Sequence, residues 1–360
     1  MKILEIISNL KPIGGGETFA VNISRSFNKF AELKVVILYK DYSQMFIDRL
    51  DEMNIDYVIL DKQKHFDKKN AKEIAKIIEE FKPDVIHTEN NALIPAYLAL
   101  KHFKRTDRPY VFHTMHLAPI DECSNRLVKL LYRHIFRKNG FIPVAITEKL
   151  ARESERFYHL KEVPFVENGI DLSRFNNYLP LKDRQYDLVV LARFSYQKNH
   201  EFLIRTLKQV KNHFPHFRAA FVGGGELFDQ MKELANSSGA GFIEFTGVMS
   251  NTAPILMNSK IIALGSRFEA NPLSLLEGMA AGCIVISSDV GGIKNIIKED
   301  NGFLFELDDD KAFINYVVDV LQNLKNYQAM SENNVKYSTK FSMDECAKKY
   351  IQLFEHFSKK

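Results

Sequence analysis

Cysteine is scarce: Cys123, Cys283 and Cys346 are the only three among 360 residues. They share no short metal-ligand spacing, and any disulfide pairing leaves one over. A reducing compartment follows from that usage. Long apolar runs are missing too, and no uncharged stretch approaches the roughly 18–20 residues that cross a bilayer. The opening Met1–Ile7 is apolar over too few residues for a secretory leader. A cytoplasmic protein, or one peripheral to a membrane, is expected. Net charge is small, +4, so a nucleic-acid binder finds little support.

What is present is an ordinary globular composition, 46% hydrophobic and 26% charged, over a length that suits two domains. In the first half, short apolar runs alternate with helical periodicity. Lys2–Ser8, Lys34–Tyr39, Tyr57–Leu60, Asp84–His87, Tyr110–His113, Phe141–Thr147 and Val163–Val166 read as strands. Thr18–Phe30 and Asn70–Phe81 read as helices. The pattern restarts at Leu188–Leu191 and runs on through Phe217–Val222, Ile243–Phe245, Ile261–Leu264 and Cys283–Ser287. Helices are expected at Glu201–Phe214, Leu227–Asn236, Pro272–Ala281 and Met343–His356. Strands alternating with helices imply crossover units and parallel sheets, an α/β fold. The expected division is 1–172, a linker 173–187 rich in Asn and Asp around Pro180, 188–340, and a terminal helix within 341–360. In open parallel sheets ligands sit beyond the carboxyl ends of the strands.

The densest signal runs from Gly265 to Gly282. Pro272 fits the first turn of a helix, where its missing N–H costs nothing. Glu269 would precede that helix and Glu277 would lie in its second turn. Free N–H groups at the helix start, around Asn271 and Leu273, form an anion site. Two flanking carboxylates can each accept hydrogen bonds from a pair of hydroxyls, which suits a sugar nucleotide. Taken alone, the two glutamates fit solvated surface charges equally well.

The context is more specific. The spacing of Glu269 and Glu277, the small residues Gly278–Gly282, the strand after them and the Gly291-Gly292 turn occur together. So do Gly14-Gly15-Gly16-Glu17, Asn168-Gly169-Ile170-Asp171, Ala192–Asn199 and Val222–Gly225. In this order, over nearly the whole chain, they resemble the retaining glycosyltransferases of family 4. The resemblance implies the GT-B fold: two Rossmann-like domains facing across a cleft, with the C-terminal helix crossing back to the first domain. It implies that Glu277 binds the donor ribose and Glu269 the transferred sugar. Arg193 and Lys198 would hold the donor diphosphate and stabilise the charge that develops on it. Such cations stand in for a divalent metal, so no metal and no cofactor are expected, with a UDP-sugar as donor. Asp308-Asp309-Asp310 lies between elements near the far end and reads as solvated. One departure is Ala270-Asn271-Pro272, where many relatives carry Gly-Phe-Gly.

Further site residues follow from position. Gly15 and Gly16 would lie near the donor phosphates, though a plain tight turn is the alternative, and the full G-x-G-x-x-G is absent. Gly224 would shape the nucleotide end of the site. His113 and His116 follow a strand; a metal would need a third ligand, and none is evident nearby. The family histidine that contacts the transferred sugar matches His116, while His87, Glu89 and His113 would reach the acceptor. A structural histidine is the other reading. Asn125–Lys138 is a basic amphipathic stretch inside 101–140, where nine basic residues face three acidic ones. It fits an anionic membrane surface or a core helix with a solvated side. The function implied is transfer of a sugar to a glycan or lipid-linked acceptor during synthesis of a bacterial surface polysaccharide, a capsule or exopolysaccharide. An epimerase-like enzyme, a phosphorylase-like enzyme and a non-catalytic sugar-nucleotide sensor are the alternatives.

Overall fold

The computed structural model describes residues 1–10, 15–60, 68–123, 125–138, 140–269 and 271–358. Gly14 of the glycine turn and Ala270 lie outside the described residues. Two compact units emerge: Met1–Gly169 with Met343–Lys360, and Ile170–Ser342.

The first unit holds β1 (Lys2–Ile7), β2 (Glu32–Ile37), β3 (Asp56–Ile59), β4 (Val85–Glu89), β5 (Tyr110–Met115) and β6 (Phe141–Ala145). They form one sheet in the order β3-β2-β1-β4-β5-β6, and every pairing is parallel. The second unit holds β7 (Tyr186–Leu191), β8 (Ala219–Val222), β9 (Ile243–Gly247), β10 (Ser259–Leu264), β11 (Ile284–Ser288) and β12 (Gly302–Phe305). Its order, β12-β11-β10-β7-β8-β9, is the same doubly wound pattern read from the other edge. Each sheet therefore has a switch point, between β1 and β4 and between β7 and β10, where a dinucleotide-type fold binds its ligand.

Both faces of the second sheet are covered. Leu188, Val190, Ile261 and Ile284 point into one buried cluster, and Val189, Ile262 and Val285 into the other. Near-continuous apolar strands are what a sheet buried on both sides requires.

Three expectations change. Val163–Val166 is no strand: only Phe165 bridges to Ala145, because Pro164 has no N–H with which to extend a ladder. Residues 173–187 are no free linker; they belong to the second unit. Leu181 is fully buried in its core, and Arg184 donates to Ser259 O at 2.7 Å. Short 3-10 turns at Leu172–Arg174 and Leu181–Asp183 have too few residues to show a period. Helix Leu273–Ala280 begins after Pro272, which has extended φ/ψ and caps it instead of opening it. The terminal helix Met343–Ser358 joins the first unit. There its Asp344 accepts from Ser26 Oγ at 2.6 Å and from Lys29 Nζ at 2.7 Å.

Candidate functional site

In the second unit, the loop leaving β10 carries Ser266–Glu269, and its backbone is tied at four points. Ser288 Oγ donates to Ser266 O at 2.7 Å, and Gln197 Nε2 to Phe268 O at 2.8 Å. Arg267 N donates to Gln197 O at 2.8 Å, and Gly292 N to Glu269 O at 2.9 Å. The backbone at Glu269 is thus fixed before any contact of its own carboxylate is counted. It is buried and partnered: Lys198 Nζ lies 2.5 Å from its Oε1, and Ser266 Oγ donates to the same atom at 2.7 Å. A buried carboxylate needs that compensation. Lys198 and Glu269, 71 residues apart in sequence, therefore meet as expected of a shared site.

Arg193 stands differently. Its Nη2 is 3.1 Å from Glu226 Oε2, and both side chains are more than half exposed. The loops after β7 and β8 are joined by Phe194 N donating to Gly224 O at 2.9 Å and Leu227 N to Phe194 O at 3.0 Å. That brings Arg193 and Gly224 side by side.

Glu277 is buried on helix Leu273–Ala280, and Arg174 Nη1 reaches its Oε1 at 3.2 Å. Arg174 also donates to Thr252 Oγ1 at 3.1 Å and Asn251 Oδ1 at 3.3 Å. The sequence reading missed Arg174, although it lies three positions beyond the Asn168–Asp171 motif. Asn271 Oδ1, at the same helix entrance, is buried with no hydrogen-bond partner among the described residues. The acidic triplet, expected to be solvated, is exposed at Asp308 and partly exposed at Asp309 and Asp310, and each member also has a partner. Asp308 accepts from Asn199 Nδ2 at 3.0 Å, Asp309 caps a helix through Ala312 N at 3.0 Å, and Arg205 reaches Asp310 at 2.7 Å.

In the first unit, strand register decides which polar side chains meet. Glu5 on β1 pairs with His87 on β4, and His87 with Phe112 on β5. Glu89 pairs with Thr114. Because side chains alternate along a strand, Glu5, His87, Glu89 and Thr114 share one face. Thr88 and His113 take the other, with 2.9 Å between Thr88 Oγ1 and His113 Nδ1. His113 is fully buried against Tyr132 and Phe136. Burial, then the charges of His87 and His116, push its pKa down to about 3, with a hydrogen bond to the Thr88 backbone opposing. His87 is equally enclosed, against Phe27, Tyr350 and Phe354. Neither histidine can touch an acceptor, so both of those roles are corrected to structural ones.

His116 keeps a route to a ligand, with 12% of its side chain exposed. Its Nε2 lies 2.5 Å from Glu89 Oε2, and Phe19 meets its ring edge-on. Gly16 lies beside it: a Cβ added there would sit 3.1 Å from Asn90 Oδ1 and 3.7 Å from the His116 ring. Gly15 opens helix Gly15–Phe30.

Two families match, and between them they account for most of the chain. Residues 13–174 match glycosyltransferase family 4 and residues 174–337 match glycosyl transferases group 1. The protein belongs to the group 1, family 4 glycosyltransferases and is a glycosyltransferase of GT-B fold. Among curated relatives, it is 22% identical to a Campylobacter jejuni enzyme over 98% of both chains. That relative is GalNAc-alpha-(1->4)-GalNAc-alpha-(1->3)-diNAcBac-PP-undecaprenol alpha-1,4-N-acetyl-D-galactosaminyltransferase. It is 25% identical, over 74% of this chain and 73% of the other, to an Escherichia coli UDP-Gal:alpha-D-GlcNAc-diphosphoundecaprenol alpha-1,3-galactosyltransferase. The Anabaena protein HepE, solved in complex with UDP-glucose, has the same fold, with a TM-score of 0.80 and 18% identity over 99% of this chain and 100% of that one.

Proposed function

We propose that this enzyme transfers a sugar, with retention of configuration and without a metal ion, from a UDP-sugar to a lipid-linked glycan acceptor in bacterial surface-polysaccharide assembly. The observation that carries the reading is the tied loop that sets the Lys198–Glu269 pair beside the entrance of helix Leu273–Ala280. The undecaprenol-linked acceptors named for the two relatives support the acceptor class.

Each residue then has a role. Glu277 accepts from the ribose hydroxyls and Glu269 from those of the transferred sugar. Lys198, Arg193 and the N–H groups at the start of the helix meet the diphosphate as its charge grows. The acceptor hydroxyl attacks the anomeric carbon from the face the diphosphate leaves, and a phosphate oxygen takes its proton. His116 hydrogen-bonds to the sugar and needs no role as base.

Glu277→Gln tests the donor half. An amide presents one acceptor oxygen where the carboxylate presents two charged ones, a loss of about 1.5–3 kcal/mol. UDP affinity measured by calorimetry should fall about tenfold or more, with Tm little changed. Equal affinity would remove Glu277 from the site.

A membrane-facing acceptor also fits helix Arg126–Phe136, which buries Tyr132, Ile135 and Phe136. It leaves Leu127 77% and Leu130 51% exposed, with Arg126 and Arg137 exposed as well. Among the described residues no helix is long and apolar enough to cross a membrane. Lys129 is engaged otherwise, 3.8 Å over the Phe157 ring. Cosedimentation with anionic vesicles should be salt-sensitive. It should weaken when Arg126 and Arg137 become Gln, each exposed charge contributing about 1 kcal/mol. Wild-type protein that stays in the supernatant at low salt would leave this a solvated helix.

A further inference from the structure

Behind His116 runs a line of buried ionisable side chains that the proposed transfer step does not use. Glu89 Oε2 lies 2.5 Å from His116 Nε2, and Glu89 Oε1 lies 3.5 Å from His87 Nε2. His87 Nδ1 in turn faces Glu5 Oε1 at 3.6 Å. Glu5, His87 and Glu89 are all fully buried. Ser24 Oγ donates to Glu5 Oε2 at 2.9 Å, and Thr114 Oγ1 stands 2.8 Å from His87 Nε2 and 2.9 Å from Tyr350 Oη.

Glu5, His87 and Glu89 place three potential ligand atoms within 4.8 Å of one another. The geometry is nevertheless that of a ring between two carboxylates. Glu5 and Glu89 address opposite nitrogens of His87, whereas an imidazole offers a metal only one. Burial alone would keep His87 neutral, but Glu5 and Glu89 outweigh it and raise its pKa. An imidazolium in that position offsets part of the cost of burying the two carboxyl groups, and burial still raises the pKa of Glu5 with His87 opposing.

We propose that Glu89 is a positioning residue that fixes His116 as its Nε2–H tautomer, and that His87, faced on its other side by Glu5, holds Glu89 in place by charge. A carboxylate only accepts hydrogen bonds, so a neutral His116 bonded to it must carry its proton on Nε2. Its Nδ1 is then left as an acceptor. A sugar hydroxyl meeting the outward nitrogen would donate to it and find one fixed partner. The catalytic consequence rests on the proposed role of His116 at the transferred sugar; the tautomer itself does not.

The test is ring-nitrogen NMR on the full chain labelled with ¹⁵N-histidine, with His116 assigned by its loss in His116→Gln. In its neutral form, His116 of the wild type should be protonated on Nε2 and bare on Nδ1. An Nδ1–H tautomer in wild type overturns the proposal without any variant. Glu89→Gln, whose amide can accept or donate, should convert His116 to a mixture of tautomers. Glu5→Gln should do so partially. A His116 signal unchanged in Glu89→Gln overturns the positioning role. UDP release from UDP-galactose, measured on wild type and His116→Gln, tests the separate reading. Equal rates would remove His116 from the sugar while leaving the tautomer result to stand alone.

Discussion

Replacing Lys198 by alanine is expected to lower kcat by about 10²-fold or more while the chain stays folded. The ammonium lies 2.5 Å from Glu269 Oε1 in a largely buried pair, so it is fixed before any donor arrives. Stabilisation that needs no reorganisation is what lowers a barrier most. Glu269 keeps its hydrogen bond from Ser266 in the variant, which limits the cost of the lost ion pair. Arg193→Ala is the companion measurement. Arg193 pairs with Glu226 on the surface, and so exposed a pair adds little to stability. Any large fall in its kcat therefore reports on the diphosphate and not on the fold. Wild-type turnover should also persist in excess EDTA if these side chains do the work of a divalent ion. If neither variant slows transfer, the diphosphate is held elsewhere. If EDTA abolishes activity and Mg²⁺ restores it, the metal-free mechanism fails.

Gly291→Ala should cost about 3 kcal/mol or more and lower Tm by roughly 8 °C. Gly291 has φ +59°, and a Cβ there would lie 1.9 Å from Glu269 O. Left-handed backbone costs an L-residue about 1–2 kcal/mol, and the collision adds to it because the obstacle is main chain. To escape it, the turn must move away from the carbonyl that Gly292 N holds at 2.9 Å. That movement frees the Glu269 loop, so kcat should fall together with stability. Gly239→Ala is the control: its φ is +83°, but nothing lies within 4 Å of the added atom. It should show the backbone cost alone, with unchanged kcat. Equal losses of Tm in the two variants would mean that the contact with Glu269 carries no weight.

Much of the candidate site in the second unit was legible because its signals are local. A strand, a glycine turn and a helix start follow each other within a few residues, and the order of the motifs carried Glu269, Glu277, Arg193 and Lys198 onto particular positions. Arg174 was not legible. Its contact with Glu277 spans 103 residues, and no periodicity in either segment announces it. The partners of the acidic triplet were not legible for a related reason. A solvent-facing run of aspartates gives no sign of Asn199, Ala312 N and Arg205, which meet it.

The histidines of the first unit show where sequence stops. Its alternation of apolar runs and helical periods determined a parallel α/β architecture, since each strand's covering pattern is written within that strand. Whether His113, His87 or His116 meets a ligand depends on register between strands, and the pairing partners lie about 25 to 80 residues apart. Shifting register by one residue would exchange the faces of Glu89 and Thr88. The burial of His87 depends further on Tyr350 and Phe354, from a helix at the far end of the chain. Local sequence therefore determined the elements and the families of side chain available at their ends. Only the tertiary structure decided which of them share a face, because that is set by packing between segments that carry no information about each other.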